Sequence, residues 1–363
     1  LNRFAFIIHP LDTSDFSRKY PFARSLPPWV IESALALMPP VVTSKITGIR
    51  SLTGAEAEGW FVGCTLTARQ MLSLNQNFVM RKVISAARMA EQLGAGIVGL
   101  GAFTSVVGDA GVTVSKRVSI GVTTGNSYTA GAGIQALEIG AAKMGIDMRN
   151  CRVAVIGATG SIGSACSHLL ADRVSDLTLV ARDKAKLDLL ANQLRGEYGL
   201  RVSTTTDIAE ATGRSDLVVT ASSAVKTIID PGDLKRGSVI LDIARPRDVS
   251  RKVAEERKDV LVIEGGVIKV PGDHVDFHFN FGFPPGLAFA CMAETMILAL
   301  EGTYESFSLG REYSAERVRR ICELAEKHGF KVAGLRSFER ALSDDEIESV
   351  RRNARSRAHS IVT

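Results

Sequence analysis

The chain has 363 residues, 45% hydrophobic and 23% charged, with 33 glycines, a composition that suits a globular α/β protein and excludes a disordered or fibrous one. Its length exceeds the usual single-core size, so two domains are expected. The 44 Lys plus Arg against 39 Asp plus Glu give a net charge of +5, too diffuse to demand nucleic acid, and no apolar run approaches the roughly 20 residues that cross a bilayer.

In chain order, Phe4 to His9 is a short β-like run. Leu66 to Leu93 carries apolar residues at helical intervals (Met71, Leu74, Phe78, Val83, Ala86, Ala90) up to Gly94, which predicts one long amphipathic helix or two abutting ones. Residues 95–107 read as a buried strand and a small-residue turn. Residues 118–145 read as a strand, a polar turn and an alanine-rich helix whose glycines admit a close neighbour. From Cys151 the rhythm becomes apolar strand, glycine turn and helix, repeated, which indicates a parallel sheet covered by helices. Leu287–Leu300, Ala315–Lys327 and Ser343–His359 read as helices, the last with Arg351, Arg352, Arg355 and Arg357. The expected fold is α/β, a Rossmann-like parallel-sheet domain plus a second α/β substrate domain built from both ends of the chain. The expected blocks are 1–145 for substrate, 146–280 for NADP and 281–363 for C-terminal helices that return to the substrate domain.

VAVIGATGSIG (153–163) places Gly157, Gly160 and Gly163 between an apolar strand and a helix. A tight turn, a close backbone approach to pyrophosphate and helix–strand packing each require little side chain, and the helix N-terminus offers N–H donors. Thr159, Ser161 and Ile162 share this cradle. The next strand ends in Arg182, where an NAD enzyme commonly carries an acid. Arginine there suits a 2′-phosphate and favours NADPH, although Asp183 follows immediately. Lys184 and Lys186 read more simply as a solvated helix start. Ala221 and Ser222 in TASS, and Gly265 and Gly266 in EGG, border the expected nicotinamide side. Asp242 reads as a strand-end cap.

The five cysteines, Cys64, Cys151, Cys166, Cys291 and Cys322, are scattered, odd in number and without a CxxC pair. That argues against a disulfide framework or a zinc site and for a reducing cytoplasm, and the N-terminus lacks a signal-peptide pattern. Cys291 lies in GLAFACMAE, about two turns into a helix expected to begin near Pro285. By composition it reads first as a small core hydrophobe, with nucleophilic catalysis as the alternative. Asn126, Ser127, Tyr128 and Thr129 surround a helix start, where they either cap the helix or hold an oxyanion. Thr104 and Ser105 are further substrate-contact candidates. His274, Asp276 and His278 alternate in 273–281, and a polar-out strand is the plain reading; no metal is expected there.

Several blocks, in order, resemble the cyanobacterial long-chain acyl-[acyl-carrier-protein] reductase family: GAFTSVV (101–107), TTGNSYTA (123–130), VAVIGATGSIGSA (153–165), VARD (180–183), EGG (264–266), FACMAETMILALEG (289–302) and KHGF (327–330). The resemblance runs from about residue 40 to 335. The first 40 residues, the FGFPPG segment and the residues after about 336 depart from the family pattern. The resemblance implies that Cys291 accepts the acyl group of a thioester and that NADPH then reduces it to a fatty aldehyde, with acyl carrier protein or acyl-CoA as carrier. The expected partners include no nucleic acid and no membrane span, and a homo-oligomer is an open alternative. Rival readings are a dehydrogenase of a small hydroxy or amino acid that does not use Cys291, and a nucleotide-sensing regulatory protein.

Overall fold

The computed structural model describes residues 1–15, 21–280 and 282–356. Arg357 and the last residues of the expected C-terminal helix, together with Phe281 of the 273–281 segment, lie outside the described residues. The chain divides into two compact units. The first comprises Leu1–Asn126, Ile268–Arg311 and Arg320–Lys331; the second comprises Ser127–Val267, Glu312–Arg319 and the described residues from Val332 onward.

The first unit holds a mixed five-stranded sheet of β1 (Asn2–Ile8), β2 (Val41–Arg50), β3 (Glu56–Gly63), β4 (Ile97–Leu100) and β5 (Gly121–Thr123), in the order β2-β3-β1-β4-β5. Only the β2–β3 pair is antiparallel. Alternation along β1 sends Ala5 and Ile7 into a core with Val79, Val83, Ala86 and Ala90 of the helix Gln76–Gln92. The opposite face carries Phe6, edge-on to Phe61 at 6.4 Å. Gly99 keeps that face open for the helix Ala290–Glu301, since a Cβ at Gly99 would fall 2.1 Å from Thr295 Oγ1 and 2.4 Å from the Phe6 ring. The 66–93 stretch forms two helices, Ala68–Ser73 and Gln76–Gln92, because the Asn75 side chain accepts from the Asn77 and Phe78 amides and restarts the helix. At the far end of this unit the β2–β3 turn is tied down by His328. Its Nδ1 lies 2.8 Å from Ser51 Oγ and its Nε2 3.0 Å from Glu301 Oε2, with the imidazole buried.

The second unit is a six-stranded parallel sheet of β6 (Arg152–Ile156), β7 (Asp176–Val180), β8 (Arg201–Thr205), β9 (Leu217–Thr220), β10 (Val239–Asp242) and β11 (Leu261–Glu264). The order β11-β10-β9-β6-β7-β8 reverses between β6 and β9, the switch point at which doubly wound sheets open a crevice. From Ser127 on, the helix Asn126–Met144 belongs here and not to a 1–145 block. Gly133 admits the Ile243 and Leu241 side chains, and Gly140 those of Ile263 and Val239, so side chains of this sheet fill the space the glycines leave. The helix Asp344–Ser356 also joins this unit: Ile347 is buried in its core and Arg236 Nε donates to the Ala354 carbonyl at 2.8 Å. The chain therefore divides at points other than the 145/146 and 280/281 boundaries expected.

Candidate active site and cofactor cradle

Cys291 sits closer to a helix start than periodicity suggested. Leu287–Phe289 is a short strand, the helix begins at Ala290 with Phe289 as its uncapped N-cap, and Cys291 is the second residue of the first turn. The thiol is half-buried. Helix N-termini carry a partial positive charge and unpaired N–H groups. Cys64, Cys151 and Cys166 are buried, and burial pushes their thiols up to about 12, about 11 and about 12.

The loop after β5 closes over this turn. Gly125 has φ +74°, and a Cβ there would lie 2.3 Å from Cys291 Cα and 2.4 Å from its Cβ, so only glycine permits the contact. The loop is held at two points. Thr123 Oγ1 donates to Glu294 Oε1 at 2.5 Å, and Thr124 Oγ1 donates to the Ser308 carbonyl at 2.5 Å. Thr295 Oγ1 donates to the Cys291 carbonyl at 3.3 Å.

The oxyanion candidates fare differently. Thr104 and Ser105 are buried, and their hydroxyls donate to the Gly101 and Ala102 carbonyls, both at 2.7 Å, which occupies their protons in a local turn. That turn is anchored by His9, whose Nε2 accepts from the Phe103 amide at 3.1 Å while Nδ1 faces the Pro10 carbonyl at 2.9 Å; burial lowers its pKa and favours the neutral ring. Asn126 follows Gly125 directly and is half-buried, its side-chain amide without a hydrogen-bond partner among the described residues. Ser127, Tyr128 and Thr129 are buried in the same helix. Residues 273–280 form no strand. Asp276 makes one isolated bridge with Thr47, and His278 has φ +46° with Nε2 3.3 Å from Asp276 Oδ2. Among the described residues no group of three or more His, Cys, Asp or Glu is arranged to hold a metal ion.

In the second unit the glycines fit a dinucleotide. A Cβ at Gly157, φ +78°, would meet the Ala221 carbonyl at 2.8 Å, and one at Gly163 the Gly157 carbonyl at 2.2 Å, so both glycines are demanded by backbone packing. Gly160, the exposed N-cap of the helix Ser161–Ala171, has only the Gly157 carbonyl nearby, at 3.3 Å, and provides no side-chain cap. That leaves the helix start open to a phosphate. Thr159, Ser161 and Ile162 are half-buried around it. Arg182 is exposed beyond β7 with no hydrogen bond or ion pair among the described residues, while Lys184 pairs with Asp188 at 2.6 Å and Lys186 with Asp183 at 3.3 Å. Asp183 itself caps the next helix.

Buried Asp248, which sequence reasoning missed, organises the loop after β9. It accepts from the Thr220 hydroxyl, the Ser222 amide at 3.0 Å and the Ser222 hydroxyl at 2.6 Å. Asp242 caps the following turn, accepting from the Ala244 and Val249 amides, and burial pushes its carboxyl up to about 6. The space beside Gly265 is filled by Ile243, whose Cγ1 would lie 2.5 Å from a Cβ, so this glycine makes room for a neighbouring side chain; Gly266 has φ +69°.

The shikimate / quinate 5-dehydrogenase family model matches residues 138–264, the sheet of the second unit. The chain is 36% identical over 323 residues to the aminotransferase PigE of Serratia sp. (strain ATCC 39006), covering 87% of this chain and 37% of that protein's length. It is 32% identical over 313 residues to the long-chain acyl-[acyl-carrier-protein] reductase of Synechococcus elongatus, covering 82% of this chain and 89% of that one. Glutamyl-tRNA reductase of Trichodesmium erythraeum is 24% identical over 181 residues, 48% of this chain and 41% of that protein. Sheet order, glycine cradle and these relatives define an NAD(P)-dependent oxidoreductase. Within that class, the chain belongs to the long-chain acyl-[acyl-carrier-protein] reductase family.

Proposed function

We propose that the protein reduces a fatty acyl thioester, carried on acyl carrier protein or coenzyme A, to the fatty aldehyde through an acyl group held on Cys291. The observation that carries this reading is a half-buried cysteine on the first turn of a twelve-residue helix in a member of this family. The dipole of that turn stabilises a thiolate. The thiolate attacks the thioester carbonyl, the carbon–sulfur bond to the carrier breaks, and the carrier leaves with the electron pair. The first-turn amides and the Asn126 side chain are the groups proposed to hold the transient oxyanion. NADPH, when bound, supplies the hydride that converts the Cys291 thioester to aldehyde. Gly157, Gly160 and the start of the helix Ser161–Ala171 are assigned to the pyrophosphate, Arg182 to the 2′-phosphate, and Ala221 and Ser222 to the nicotinamide end.

Intact-protein mass spectrometry after exposure to hexadecanoyl-CoA without cofactor tests the reading. The expected result is one acyl adduct on the unmodified protein and none on Cys291→Ser, with NADPH affinity kept, because a serine hydroxyl is a far weaker nucleophile at neutral pH. Aldehyde formation by Cys291→Ser at an undiminished rate would overturn it.

A further inference from the structure

We propose that Glu294 is a positioning residue for Cys291, acting through Thr123 on the Gly125 loop. The inference deepens the function proposed above and rests on it. Glu294 is fully buried, one helical turn after Cys291, in a helix whose other residues before the terminal Glu301 are apolar or small. A buried carboxyl is costly, and an apolar residue would serve the packing of this helix better. What the carboxyl provides is an acceptor. Thr123 Oγ1 donates to Glu294 Oε1 at 2.5 Å, which orients the hydroxyl so that its lone pair faces the Gly125 amide at 3.4 Å. Thr123 is itself fully buried at the end of β5, so it has no solvent alternative. Gly125 in turn lies against the backbone of Cys291, and Asn126 follows it. A connected path thus runs from the carboxyl through a hydroxyl and a loop amide to the turn that carries the thiol.

The consequence is geometric. A displacement of about 1 Å in a reacting group costs about 100-fold in rate, and without Glu294 the Thr123 hydroxyl loses its acceptor and the loop one of its two ties. Glu294→Leu and Thr123→Val remove the path while preserving an apolar fill. Glu294→Gln and Thr123→Ser retain an acceptor and a donor. The measurements are the single-turnover rate of acyl transfer from hexadecanoyl-CoA, the pH profile of Cys291 alkylation by iodoacetamide followed at its peptide, and NADPH affinity.

The expected outcome is a loss of acyl transfer on the order of 100-fold in Glu294→Leu and Thr123→Val, with most of the rate restored by Glu294→Gln and Thr123→Ser. NADPH affinity and the midpoint of the alkylation profile should stay in place. Full acyl transfer in Glu294→Leu would overturn the proposal, as would a Glu294→Gln variant that shifts the alkylation midpoint, since that makes the carboxylate an electrostatic or proton-handling group. Should Glu294→Leu fail to fold, Thr123→Val decides alone. Absence of any adduct on the unmodified protein would instead sink the acyl-cysteine reading, and the two failures are thereby distinguished.

Discussion

Gly125 shows how one missing methyl group shapes the candidate site. Its φ of +74° and the Cys291 backbone within 2.3 Å of where a Cβ would stand exclude any other residue without rearrangement. Gly125→Ala should destabilise the protein by more than about 2 kcal/mol and slow alkylation of Cys291. A melting temperature and alkylation rate equal to those of the unmodified protein would show that the loop does not bear on the thiol. The three cradle glycines were legible because tight turns and close helix–strand packing recur in one local string, whereas Cys291 read by composition as a small core hydrophobe and was singled out only by the family resemblance. Glu294, Thr123 and Asp248 were not legible. Their partners lie far away in sequence, 171 residues apart for Glu294 and Thr123, and the only hint was an acid in the apolar middle of a helix. Thr104 and Ser105 illustrate the converse: a hydroxyl near a strand end looks available until the carbonyl that takes its proton is known.

Among the elements, helix and strand identities were readable wherever periodicity was strong, as in the apolar strands β6, β7, β9, β10 and β11 of the second unit; the polar edge strand β8 was not singled out. The start of the Cys291 helix was not readable, because Leu287-Ala288-Phe289 is as compatible with a helical turn as with the extended strand it forms. That difference moves the thiol from the interior of a helix to its positive end. The 273–280 segment failed for a related reason, since alternating polarity occurs in irregular chain too. The end of β7 carries its own test. Arg182 is exposed and unpaired among the described residues, whereas the neighbouring lysines are engaged with acids. Isothermal titration should find NADPH bound more tightly than NADH, and Arg182→Ala should narrow the difference by about tenfold, the worth of one charge-assisted hydrogen bond. Equal affinities in the unmodified protein would remove the assignment.

For the molecule as a whole, the change of rhythm at Cys151 marked the parallel sheet correctly, yet the boundary was misplaced because the helix Asn126–Met144 is buried on most sides and its pattern does not say which sheet it covers. Stability against pH is also a property of the whole chain. Burial lowers the pKa of His328 below its ordinary value of 6.5. The unfolded chain therefore takes up a proton that the folded one refuses, and stability falls as pH drops through the unfolded value, by up to about 1.4 kcal/mol per pH unit for each such histidine. Asp242, pushed up to about 6, acts with the opposite sign below that pH. Between about pH 7.5 and 6 the melting temperature should decline, and decline less in His328→Gln; parallel slopes for the two proteins would refute the assignment.

The backbone passes between the two units at 126/127, 267/268, 311/312, 319/320 and 331/332. Neither unit is therefore a cassette. Residues 127–267 taken alone would leave behind Leu335 and Ile347, which fill the core of the parallel-sheet unit, so a hybrid made by a single exchange of coding sequence would inherit an incomplete interior. Change in such a molecule has to come by substitution in place, at positions such as the end of β7, because its two halves cannot be traded as separate modules.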